Sequence, residues 1–169
     1  GTKACFVNSD LRLVVLDWLS GEYTISSQKE HSVELIDENN VYFSHNHAIS
    51  AVEIKTGNVL WEHTVSNIDE ELSKDIVLYN DWILTSTGIG FPKESHSCVI
   101  ALDKYTGKTL WRYQLNGFIN SHLKVIDGCL VFWYTKGGGG TCPEYSLVYR
   151  LNLKTTLQIL RSVILFKQL

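Results

Sequence analysis

Ala101-Leu102-Asp103-Lys104-Tyr105-Thr106-Gly107-Lys108-Thr109-Leu110-Trp111 has a counterpart 50 residues earlier, Ala51-Val52-Glu53-Ile54-Lys55-Thr56-Gly57-Asn58-Val59-Leu60-Trp61. Each copy reads as a strand that runs from a small residue to an acid, a turn closed by Thr-Gly, and a second strand carrying Leu-Trp. Glycine provides the left-handed backbone that such a turn needs, and the flanking residues favour extended structure. Once this register is imposed, two fainter copies emerge. One is Val15-Leu16-Asp17-Trp18-Leu19-Ser20-Gly21, with Ile25 in the tryptophan position; the other is Arg150-Leu151-Asn152-Leu153-Lys154-Thr155-Thr156, with Leu160 there. Four related units at this spacing are the signature of a solenoid or propeller.

The residues between the copies complete the units. The second reads as four strands, 32–36, 41–44, 48–55 and 58–65, with Asp37-Glu38-Asn39-Asn40 as the first turn. The third follows the same plan over 75–79, 82–87, 98–104 and 108–115, and the fourth over 122–126, 129–135, 145–154 and 157–164. The first has only three strands, 3–8, 11–19 and 22–26, so its opening strand is missing. Four-stranded antiparallel meanders in series predict an all-β fold, a β-propeller of four blades over approximately 1–30, 31–66, 67–116 and 117–169. Propellers close when one chain end completes the sheet begun by the other, and Phe166 to Leu169 are placed to supply the missing strand.

Composition agrees with a packed domain: 44% of the 169 residues are apolar and 20% charged, with two prolines. A net charge of -3 with both signs interspersed excludes the basic stripe that a nucleic-acid backbone requires. No apolar run is long enough for a membrane span, and the opening residues lack the pattern of a signal peptide. The chain contains no Met, so Gly1 is not a translation start. Cys5, Cys98, Cys129 and Cys142 are widely spaced, without a CxxC pair, and read as buried free thiols, which favours a reducing, cytoplasmic compartment over the alternative of a periplasmic or secreted protein with a processed N-terminus.

The acid, Thr-Gly and Trp of the two strict copies, Glu53 to Trp61 and Asp103 to Trp111, resemble the tryptophan-docking repeat of PQQ-like propellers, a group that includes quinoprotein dehydrogenases and the assembly lipoprotein BamB. The resemblance implies that Gly57 and Gly107 make the turn before the outer strand and that Trp61 and Trp111 pack on the following blade. It also implies more blades than four, so the chain is either a small closed ring or part of a larger one. Quinoprotein enzymes of this group carry an adjacent-cysteine disulfide and acidic and amide calcium ligands; this sequence matches neither, and no cofactor is expected.

Other candidate groups are sparse. His45 and His47 flank Asn46 without a third ligand at metal-site spacing, and read as a polar turn. Gly137 to Gly140 joins two strands and lacks the helix and Lys-Ser/Thr of a phosphate cradle. Cys142 precedes Pro143 with no base beside it. Topology says more. In a meander, the link between second and third strands emerges on the same side as the crossing to the next blade, which puts Asn46, Phe91, Lys93, Glu94, His96, Gly138 and Glu144 on one face with Asp69, Glu70, Glu71, Phe118 and Asn120. The opposite face has the tight turns at Asn39, Gly57, Asp81, Gly107 and Gly128.

Long connections on a rigid scaffold are where binding residues concentrate. The expectation is therefore a non-enzymatic protein-binding module whose anchors are Phe91, His96 and Phe118. Lys93 lies beside them, and Asp69, Glu70, Glu71 and Glu144 steer a basic protein partner. A bacterial inhibitor or immunity protein would have this form. The alternative is a segment of a larger PQQ-like propeller that acts as an assembly scaffold or belongs to a quinoprotein enzyme.

Overall fold

The computed structural model describes residues 3–10, 12–29, 33–45, 47–65, 70–89, 96–119, 121–136, 145–153 and 161–165. These form four antiparallel sheets, the blades of a β-propeller. Blade A comprises β1 (Lys3–Val7), β2 (Arg12–Asp17) and β3 (Tyr23–Lys29). Blade B comprises β4 (Val33–Ile36), β5 (Asn40–His45), β6 (Ala48–Glu53) and β7 (Val59–Thr64). Blade C comprises β8 (Glu70–Tyr79), β9 (Trp82–Ile89), β10 (His96–Asp103) and β11 (Thr109–Leu115). Blade D has β12 (Phe118–Ile119) and β13 (Lys124–Ile126), both paired with β14 (Cys129–Lys136), followed by β15 (Tyr145–Asn152) and β16 (Arg161–Leu165).

Several strand bounds differ from the sequence reading, each for a local reason. β8 begins at Glu70 because β9 runs on to Ile89 and needs a partner; Glu70 and Glu71 pair with Ile89 and Gly88 beyond a register shift between Leu72 and Ile76. These two acids therefore sit in a strand and not in a crossing. His96 likewise opens β10 opposite Ile89, and Phe118 pairs with Thr135 in the short β12. The first strand of blade D is broken, and the Ser121 hydroxyl accepts the Trp133 N–H at 2.7 Å where the ladder is interrupted. Phe166 to Leu169 lie outside the described residues.

Three acid-x-x-(Thr/Ser)-Gly turns have one construction. Gly21, Gly57 and Gly107 have φ of 75, 71 and 68°, and each donates its N–H to the carbonyl of the acid four residues before. Asp103 Oδ1 accepts the N–H groups of Tyr105 and Thr106, at 3.1 and 2.8 Å, and Asp17 Oδ1 accepts those of Leu19 and Ser20. Without such an acceptor these N–H groups would depend on solvent.

Alternation along the strands gives every blade two faces, and each boundary is a separate apolar cluster. Leu13 and Val15 of blade A meet Val41, Phe43, Val52 and Ile54 of blade B. Tyr42, Ile49, Ala51 and Trp61, on the other face of blade B, meet Ile76, Ile83, Ile100 and Leu102 of blade C. Leu84, Val99 and Ala101 of blade C meet Leu130, Phe132, Leu147 and Leu151 of blade D. Among the described residues no cluster joins blade D to blade A.

Candidate interaction face and inter-blade seats

The boundary between blades B and C shows what the Thr-Gly turn is for. Trp61 is 8% exposed, and its indole N–H donates to the Lys104 carbonyl at 2.9 Å. Its ring lies so close to Gly107 that a Cβ there would stand 2.5 Å from Cε3. Glycine is required here twice, by its left-handed backbone and by the ring over it. His63, two residues along β7, borders the same turn: burial pushes its imidazole below the ordinary value, nearby Arg112 adds to this, and a hydrogen bond to the Gly107 backbone opposes it.

Gly57 is the corresponding seat on blade B, and it is filled by Thr24, whose Cγ2 lies 3.0 Å from a Cβ placed on the glycine. This corrects the expectation that Ile25 takes the tryptophan position. In blades B and C one extra residue, Leu60 or Leu110, bulges between the turn and the tryptophan, as the register shifts between Ala51 and Val52 and between Ala101 and Leu102 show. Blade A has no bulge there: Leu16 pairs with Tyr23 and Val15 with Thr24. Thr24 therefore faces blade B, and Ile25 turns to the opposite face. Trp111 is half-buried against the cluster joining blades C and D, its ring edge-on to Trp82 with centroids 6.1 Å apart.

On the face of the longer connections, the described residues concentrate at the crossing from blade C to blade D. The Tyr134 hydroxyl donates to the Asn116 carbonyl, and Gly117 follows with φ 153°. A Cβ on Gly117 would meet the Thr135 carbonyl oxygen at 2.3 Å. Ile119 then donates its N–H to Ser97 Oγ of blade C at 3.1 Å, and His122 Nδ1 meets Asp75 Oδ1 of blade C at 2.5 Å. The crossing is thus fastened to both blades, with Phe118 half-buried and His122 exposed upon it. His96 is half-buried at the start of β10. The side chains of Glu70 and Glu71, and Asp69, Phe91, Lys93 and Glu144 entirely, lie outside the described residues.

Trp61 and Trp111 are both engaged at blade boundaries. Cys5, Cys98 and Cys129 lie in three different blades. No described helix is long and apolar enough to cross a membrane.

Residues 1–113, and again 45–146, match the PQQ-like family profile described as outer membrane protein assembly factor BamB. The chain belongs to the PQQ-like propeller family. No curated protein sequence matches it significantly. Among solved structures, this PQQ-like chain is similar to BamB from Moraxella catarrhalis, at 16% identity and a TM-score of 0.60, over 91% of this chain and 47% of that one. It is also similar to quinohemoprotein alcohol dehydrogenase from Comamonas testosteroni, at 11% identity and a TM-score of 0.70, over 95% of this chain and 33% of that one. A third likeness is the complex of the fission yeast SREBP–SCAP binding domains, at 13% identity and a TM-score of 0.53, over 99% of this chain and 46% of that one. The PQQ-like chain thus spans about half the length of the BamB chain and a third of the dehydrogenase. At these identities the likeness establishes the fold.

Proposed function

We propose that this PQQ-like segment is a non-enzymatic protein-binding module that engages its partner through the face of the longer connections. The observation that carries the reading is the crossing from blade C to blade D. Its backbone is fixed to Ser97 at 3.1 Å and its His122 to Asp75 at 2.5 Å, so Phe118 is presented with little conformational freedom left to lose on binding. Aromatic anchors held in this way dominate many interfaces. Two propellers of similar fold carry protein-association names, an assembly factor and a pair of binding domains in complex, and these names are in keeping with a binding role, while the similar dehydrogenase carries an enzymatic one.

A basic partner suits the acids Asp69, Glu70, Glu71 and Glu144, and an inhibitor or immunity role is the form this reading takes if the partner is itself an enzyme or toxin. A reducing, cytoplasmic setting suits cysteines spread over three different blades. The test is affinity capture from the source cell with the intact chain, followed by Phe118→Ala and, on the opposite face, Asn39→Ala. Loss of one partner with Phe118→Ala alone is the expected result. Equal loss with both, or loss only with Asn39→Ala, overturns the assignment of the face.

A further inference from the structure

Asn116-Gly117, in the crossing from blade C to blade D, is the one Asn-Gly pair in the chain. The pair matters chemically because the peptide nitrogen that follows an asparagine is placed to attack its side-chain amide, and a side chain on the following residue obstructs that attack. Here there is none, and there is no room for one. A Cβ on Gly117 would meet the Thr135 carbonyl oxygen at 2.3 Å and the Tyr134 hydroxyl at 2.8 Å.

The groups that would react are uncommitted. β11 ends at Leu115 and β12 begins at Phe118, so the Gly117 N–H belongs to no ladder. Among the described residues it donates to no acceptor, and the Asn116 side chain, exposed to solvent, makes no hydrogen bond. The carbonyl of the same peptide is the opposite case, since it accepts the Tyr134 hydroxyl of β14. When a peptide nitrogen loses its proton, the negative charge spreads onto the carbonyl oxygen of that peptide, which here is the Asn116 oxygen. A donor already aimed at the atom where charge develops lowers the barrier without reorganisation, and the Tyr134 hydroxyl has that position.

We propose that Asn116 is a site of self-deamidation in the folded chain, assisted by the Tyr134 hydroxyl. The Gly117 nitrogen gives its proton to solvent base and bonds to Asn116 Cγ; the side-chain nitrogen leaves with a proton as ammonia, and a cyclic imide closes. Water then adds to either imide carbonyl. Breaking the Cγ–N bond gives aspartate, and breaking the backbone C–N bond gives isoaspartate, in which the chain runs through Cβ and Cγ. The sum is asparagine and water to aspartate and ammonia, with no change of oxidation state. Both products add a negative charge shortly before Phe118, and isoaspartate adds a chain atom as well. The effect on partner capture rests on the face proposed above; the modification does not, and is read by mass alone.

The folded chain, incubated in mildly basic buffer and digested at intervals, tests this. Asn116 should deamidate ahead of every other asparagine, and fragmentation of the peptide 113–124 separates it from Asn120. Tyr134→Phe, its fold checked by melting, should slow the reaction at Asn116 by about fivefold or more, the effect of one hydrogen bond to a developing charge. In guanidinium, where Tyr134 no longer meets the crossing, the variant and the unsubstituted chain should react at one rate. An Asn116 no faster than the other asparagines of the folded chain overturns the proposal without need of a variant. A Tyr134→Phe rate that is unchanged or raised, or an equal slowing in denaturant, overturns it as well.

Discussion

The Lys104 ammonium of blade C meets the Asp37 carboxylate of blade B at 2.9 Å, while the Lys104 carbonyl, on the same residue, receives the Trp61 indole N–H. One residue thus fastens both the turn after β4 and strand β7 of the preceding blade. Its own N–H is used as well, donating to the Asp81 carbonyl at 2.9 Å within blade C.

Asp37→Ala removes the partner of Lys104 and the acceptor for the Tyr42 hydroxyl and the Asn39 and Asn40 N–H groups, and should destabilise the chain by about 2 to 3 kcal/mol in denaturant titration. The contribution depends on pH in a defined direction. Burial alone pushes the Asp37 carboxyl up, but Lys104, the two N–H groups and Tyr42 together hold it below 3.8, its ordinary value, while Asp37 holds Lys104 above 10.5. Stability from Asp37 is full above its ordinary value and is lost as pH falls through the depressed one; that from Lys104 is lost as pH rises through the elevated one. Both limbs should flatten in Asp37→Ala.

The seat predicts an ordering of glycine and tryptophan variants. Trp61→Ala should cost about 3 to 5 kcal/mol, and Trp61→Phe, which loses the bond to Lys104 but keeps a ring, markedly less. Gly107→Ala combines left-handed strain with a Cβ driven into the Trp61 ring, whereas Gly21→Ala, with no described atom within 4 Å of its Cβ, carries the strain alone, about 1 to 2 kcal/mol. Equal melting temperatures for the two glycine variants would remove the ring from the explanation.

His63 supplies an acid-side signature distinct from the carboxylates. Its imidazole is held below 6.5, chiefly by burial, so the unfolded chain takes up the proton first and stability declines as pH falls from that value through the depressed one. His63→Gln should reduce this slope between neutral pH and the depressed value. Urea midpoints measured across that range are the readout.

Gly117→Ala should be more damaging than Gly107→Ala, because the obstacle is the Thr135 backbone carbonyl and not a side chain that can turn aside. A loss of about 3 kcal/mol or more is expected, from overpacking together with backbone strain. Partner capture should fall with it, since Phe118 is the next residue. Tyr134→Phe, which loses one hydrogen bond, should cost about 1 kcal/mol.

The repeat made the turns readable, since an acid, a Thr or Ser and a Gly specify one hydrogen-bonded loop whatever surrounds them. Even the faint copy at Asp17, Ser20 and Gly21 folds as its stronger relatives do. What the spacing concealed was the bulge. Leu60 and Leu110 are exposed leucines within a β-pattern, and nothing in their identity says that they stand outside the alternation; counting from Gly21 with the bulge included selected Ile25 in place of Thr24. The long β8 was hidden for a different reason, since Glu70 and Glu71 are poor strand formers drawn into the ladder by β9. At the candidate face the topology placed Phe118 and His96 near the blade ends. The fastening of the crossing depends on Ser97, Asp75 and Tyr134, whose roles appear only once blades C and D are assembled.

Because the floor of each seat is a bare glycine, and at Gly107 the acceptor at its rim is a backbone carbonyl, the seat itself is built from backbone and not from side-chain identity. Donors as unlike as a threonine methyl and an indole occupy equivalent places at Gly57 and Gly107. A blade added by duplication would therefore bring a usable seat with its turn, and the side chains of the apolar boundary would be the part left to adjust.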